Sequence, residues 1–187
     1  MNHDEILEFV NQYCEKEKLN IGIKSYSLTE DHKGATVSLS IVENGEVVSV
    51  KGQGVGLVDA SYNALMSRYS DHYISLNTVE LVDAYFRTDL ENRDYSSTMK
   101  SRMLINLVFK NASENSTDFR NKTTSLSYSA VGAIVQAFEF YINCEILFKR
   151  VRFLVKEATS RNRADVSQHY KYVLSKVVQV TNYKCVL

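Results

Sequence analysis

The sequence runs twice through the same order of elements, three strands and then a helix, and this repetition limits the fold more than any other feature. The first pass lies within residues 20 to 70 and the second within 77 to 145. In the first, Ile21, Ile23, Tyr26 and Leu28 alternate with one slip at Ser25, and Ala35 to Val42 alternates cleanly, as half-buried strands do. Glu43-Asn44-Gly45-Glu46 supplies the turn, because Asn-Gly tolerates the positive φ angles that a tight hairpin demands. Val47 to Lys51 returns, Gly52-Gln-Gly-Val-Gly56 reads as a glycine-rich loop, and Leu57 to Tyr69 reads as a helix with Ala60 and Ala64 as small spacers. The second pass offers strands at Thr78 to Thr88, Met103 to Phe109 and Asp118 to Thr124, with a polar connection at Asp89 to Lys100. A long apolar helix then runs from Ser127 to about Phe148. The two passes align Val37-Ser-Leu-Ser-Ile with Leu104-Ile-Asn-Leu-Val, and, less closely, the helix opening at Gly56 with the stretch opening at Val131.

Helical segments flank the repeats. Residues 3 to 18 carry Ile6, Phe9, Val10, Tyr13 and Cys14 on one face, behind Asp4 and Glu5 in a first turn that the helix dipole favours for acids. After Lys149, Val151, Leu154 and Ala158 and then Val166, Tyr170, Val173 and Val177 predict one or two further helices against the domain or a second subunit. The expected fold is α+β: two strand-strand-strand-helix repeats with pseudo-two-fold symmetry, an N-terminal helix and a helical C-terminal extension. The expected organisation is residues 1–19, 20–145 and 146–187.

Composition removes several classes of function. The 187 residues carry 22 basic and 22 acidic side chains, so no long-range attraction to nucleic acid or anionic membrane is expected. The one basic run, Lys149 to Arg163, reads as a solvated helix face, or as the site of an acidic partner or an RNA backbone. Cys14, Cys144 and Cys185 show no metal-ligand spacing and read as reduced, packed thiols. None of His3, His32, His72 and His169 pairs with a cysteine or acid at catalytic spacing. Neither a secretory leader nor an apolar run of spanning length is recognised, so the expectation is a cytoplasmic protein without cofactor, metal or membrane.

Gly54-Val-Gly-Leu-Val-Asp-Ala-Ser-Tyr-Asn-Ala-Leu65, preceded by Ala35 to Ile41 and followed by Val79-Glu-Leu-Val-Asp-Ala-Tyr85, resembles a stretch of a known family. That family is the allosteric regulatory and dimerisation domain of 2-isopropylmalate synthases and citramalate synthases. Ser125-Leu-Ser-Tyr-Ser-Ala-Val-Gly-Ala133 echoes the family's second helix start. Leu57 stands where the family has proline, and Ser129 where it has an acid. The resemblance covers roughly residues 20 to 145. Its catalytic barrel, of about 250 residues, finds no room here. The resemblance therefore implies a non-enzymatic module of leucine biosynthesis type: a homodimer, or the partner of an enzyme subunit, binding a branched-chain amino or keto acid at the helix starts.

The candidate ligand-binding residues are Gly52, Gly54, Val55, Val58, Asp59 and Ala60 in the first repeat and Ser127, Ser129, Ala130 and Ala133 in the second. A glycine loop entering a helix presents unpaired N–H groups to an anion. The same glycines also suit a turn of positive φ and a close helix–sheet approach. Two other functions are carried: a structural protein–protein interaction module whose ligand site has decayed, and a degenerate double-stranded-RNA-binding domain. The latter places lysines at the helix start, where this chain has Leu57, Val58 and Asp59.

Overall fold

A computed structural model describes residues 3–89 and 102–180. Helix α1 (His3–Cys14) leads into strands β1 (Ile21–Asp31), β2 (Gly34–Glu43) and β3 (Glu46–Gly54), and helix α2 (Leu57–Tyr69) follows. A 3-10 turn at Ile74–Thr78 opens the second set: β4 (Val79–Asp89), β5 (Arg102–Asn111), β6 (Ser116–Thr123) and helix α3 (Leu126–Ser160). Helix α4 (Ala164–Val177) packs on α3. The fold is α+β, with two antiparallel three-stranded sheets in the orders β1-β2-β3 and β4-β5-β6, each followed by a helix. The connection expected beyond Asp89, and Cys185, lie outside the described residues.

The repeat extends to irregularities. The slip at Ser25 is a β-bulge between Ile23 and Ser25, and β4 carries its counterpart between Leu81 and Asp83, at the same distance from the strand start. The hairpin at Asn44 and Gly45 takes the expected positive φ angles of 48° and 98°. Cross-strand partners define the true alignment. Val37 lies opposite Leu28, and Ile105 lies opposite Phe86, so Val37, Leu39 and Ile41 correspond to Ile105, Leu107 and Phe109. All six are buried. This corrects the alignment to Leu104 by one residue, a shift that would turn the core-facing set toward solvent.

The helices are corrected likewise. Gly56 and Ser125 are the N-caps. Ala60, Ser61, Ala64, Leu65 and Tyr69 then match Ser129, Ala130, Ala133, Ile134 and Phe138, and all ten are buried. Each repeat's first strand is also held by the other repeat's helix. Ile21 N donates to Glu139 Oε2 on α3 at 2.7 Å, and Tyr62 OH on α2 donates to Val79 O at 3.2 Å. Ile21 and Val79 open β1 and β4, so both first strands are held at their starts, although by positions that are not equivalent in the two helices.

Helix α3 does not end near Phe148 but continues to Ser160, and the expected boundary at 146 falls inside it. It contains an 18-residue window of mean hydropathy 1.4, so by length and composition it passes for a membrane span, contrary to the sequence reading. In the fold, 83% of that window is buried. Val151, Ala158, Val173 and Val177 are buried along the expected stripe, and so is Leu147 one turn before it. Asn111 Nδ2 donates to Gln179 O and Val180 O at 2.9 Å, fastening the chain just after α4 to the β5–β6 hairpin. Cys14 and Cys144 are free and buried, and burial pushes the Cys14 thiol up to about 11.

Two carboxylates fasten the layers. Glu145 on α3 is fully buried, and its Oε2 accepts from Ser75 N at 2.9 Å and Ser75 Oγ at 2.6 Å. Its Oε1 meets Lys149 Nζ at 2.6 Å. Glu43, at the end of β2, accepts from Arg68 at 3.0 and 3.1 Å and from Tyr69 OH at 2.7 Å. The Arg68 hydrogen bond, with help from Tyr69, holds the Glu43 carboxyl below its ordinary value. A carboxyl depressed in the folded state gives stability that is present above its unfolded pKa and lost as pH falls through the folded one. Unfolding midpoints measured from pH 6 to pH 3 are expected to drop below about pH 4.3, and Glu43→Gln is expected to flatten that drop. An unchanged slope in the variant would remove Glu43 from the linkage.

Candidate ligand cleft at the helix starts

Gly52 and Gly54 are packing residues. Gly52 and Gly54 belong to β3 rather than to a loop, and among the described glycines only Gly34 and Gly45 have positive φ. A Cβ on Gly52 would collide with the backbone of Ala60 and Ala64, and one on Gly54 would lie 2.5 Å from Ala60 N. The requirement is therefore close helix–sheet approach, and the expected need for a left-handed turn is absent. Gly56, the N-cap of α2, is extended and gives no side-chain cap. Asp59 in the first turn reaches back instead: its Oδ2 accepts from Val55 N at 2.9 Å and its Oδ1 from Asn63 Nδ2 at 3.4 Å.

The second helix start is closed from within. Ser125 Oγ accepts from Tyr128 N at 3.3 Å. Ser129 is fully buried. Its Oγ accepts from Thr123 N at 3.0 Å and donates to Met103 O at 3.1 Å, tying α3 to β5 and β6. Ser129 is consumed by the fold and has no hydroxyl left for a ligand.

Between the two helix starts lies a cleft of about 430 Å³. Its walls come in pairs related by the repeat: Leu28 with Phe86 from β1 and β4, Leu57 with Leu126, and Val58 with Ser127. Of the ten candidate residues, Val58, Asp59, Ser127 and Ala130 line it. Gly52, Gly54, Ala60, Ser129 and Ala133 do not line it and serve packing, and Val55 stands outside at 86% exposure. Sequence reasoning missed the other lining residues, Glu30, Leu81 and Phe86 among them. Glu30 was findable, because it continues the inward alternation of Tyr26 and Leu28 and lies opposite Ala35. Phe86 was hidden, because its inward position depends on the bulge after Leu81.

The cleft's polarity is one-sided. Glu30 and Asp59 are its charged residues, and no lysine, arginine or histidine lines it among the described residues. Among the described residues, no group of three histidine, cysteine or acidic side chains that could hold a metal is found. His169 shares a 2.8 Å hydrogen bond with Tyr13 OH, and His3 stacks on Phe140, where burial lowers its pKa. In the basic run, Lys149, Arg161 and Arg163 are paired with Glu145, Glu157 and Asp165. No known family model matches the sequence, and no curated protein matches it.

Proposed function

We propose that the chain is a non-catalytic regulatory and dimerisation module that senses a small aliphatic metabolite, as its resemblance to the regulatory domain of 2-isopropylmalate synthases implies. One observation carries this reading: both repeat helices start at a single cleft, walled by equivalent residues of the two halves. A volume of about 430 Å³ is within the range of small-molecule sites, roughly 300–1,000 Å³. Leu28, Leu57, Phe86 and Leu126 give it the apolar walls that a branched aliphatic chain requires. The ligand class is a branched-chain amino or keto acid, and the assembly is a homodimer or a pairing with an enzyme subunit.

Thermal unfolding with millimolar leucine, isoleucine, valine and the three corresponding keto acids, alongside light scattering, tests the reading. A ligand at ten times its Kd stabilises by about 1.4 kcal/mol, which raises the midpoint of a chain this size by about 3–6 °C. A dimer without any shift favours the second reading, an interaction module that binds no small molecule. Two observations support that alternative: Ser129 is tied up in packing, and Asp59 is occupied by Val55 and Asn63. A monomer that ignores every ligand contradicts both.

A further inference from the structure

We infer that the cleft selects its ligand by an ammonium group, received by Glu30, so that a small branched alkylamine binds there and the corresponding keto acid is rejected. The inference rests on the ligand-binding reading above; of that reading's two classes it excludes the keto acid, and it extends the other to amines that lack a carboxylate.

Glu30 is the next-to-last residue of β1 and lies on the sheet's inner face, opposite Ala35. Its Oε1 sits 3.6 Å from the position a Cβ on Gly56 would take, so the carboxylate stands at the start of α2. Among the described residues it has no ion pair and no hydrogen bond. Asp59, the other acid of the cleft, already accepts two hydrogen bonds from its own turn. Glu30 is thus the cleft's available carboxylate, beside apolar walls that would hold an alkyl chain.

Charge decides the class of ligand. A helix start carries roughly half a positive charge, so α2 and α3 together offer about one, against two full negative charges on Glu30 and Asp59. The sum is negative, and no lining side chain reverses it. An incoming carboxylate finds the helix starts already compensated, whereas an ammonium group finds a partner at Glu30 and an apolar channel beyond it. An amino acid carries both groups and is intermediate.

The test is isothermal titration of the full chain with 3-methylbutylamine, leucine and 4-methyl-2-oxopentanoate at one pH and ionic strength, repeated on Glu30→Gln. Glu30 is exposed, and the unfolding midpoint of the variant verifies that its fold is intact. The amine is expected to bind at least tenfold more tightly than the keto acid, with leucine between them. Glu30→Gln is expected to weaken the amine at least fivefold without weakening the keto acid. A keto acid that binds as tightly as the amine, or an amine indifferent to Glu30→Gln, overturns the inference and leaves a ligand-binding module standing. Failure of all three to bind overturns the ligand-binding reading and the inference with it.

Discussion

Gly52→Ala is expected to cost the fold about 3 kcal/mol or more, well above the usual effect of a single methyl group. The added Cβ would meet backbone atoms of Ala60 and Ala64, including Ala64 Cα at 2.8 Å, and backbone cannot rotate away as a flexible side chain can. Relief would require α2 to lift from β3, exposing Leu65 and Val37, both fully buried. Gly22 supplies the control. A Cβ there meets only Val42 Cβ at 3.9 Å, an ordinary contact, so Gly22→Ala should be neutral or stabilising by about 0.5 kcal/mol. Denaturant unfolding of both variants measures the difference. Equal midpoints would mean that α2 does not lie against β3 as closely as described.

The second large effect belongs to Glu145. Glu145→Ala is expected to lose about 3 kcal/mol, because it leaves the Ser75 N–H and hydroxyl without an acceptor in a buried place. Glu145→Gln keeps a carbonyl oxygen for Ser75 but sets an uncharged amide against Lys149, and about half that loss is expected. Glu157 on the same helix is the comparison: its ion pair with Arg161 is also 2.6 Å, but at 36% side-chain exposure it should be worth under about 1 kcal/mol. Ser75 sits in the turn joining α2 to β4, so Glu145 clamps the connection between the repeats onto α3. Unfolding curves in which Glu145→Ala and Glu157→Ala coincide would deny that clamp.

Neither residue's role was legible locally. Gly52 announces itself in sequence, but a glycine required by φ and one required by a neighbour's approach look alike until the neighbour is placed. Glu145 reads as one acid within an apolar helix, and its partner is 70 residues away. The slip at Ser25 was legible as an irregularity, because Ile21 and Ile23 alternate before it and Tyr26 and Leu28 after it. Its counterpart after Leu81 was not, because Val82, Ala84, Tyr85 and Phe86 put apolar side chains on both faces of β4. The one-residue misalignment of β5 has the same origin: Leu104 and Val108 face outward beside an inward Ile105, Leu107 and Phe109, so period two is blurred. The apparent break at Lys149 was a change in charge. No proline lies in α3 and its one glycine, Gly132, is far upstream, so nothing stops the helix at Lys149 and the chain turns only at Asn162, which takes a φ of 54°.

Local pattern along the chain was enough for the α+β class, the duplicated order of elements, the Asn44–Gly45 turn and the core face of the first sheet. Each of these depends on side chains a few positions apart along the chain, where periodicity and turn chemistry act. The tertiary structure alone decided which helix covers which strand, and therefore which candidate residues remain available. The cleft unites the inner faces of β1 and β4 with the starts of α2 and α3. By filling the space beside Gly52, Ala60 and Ser129 with backbone and packed side chains, the same docking leaves Glu30, at the open end of β1, as its exposed acid.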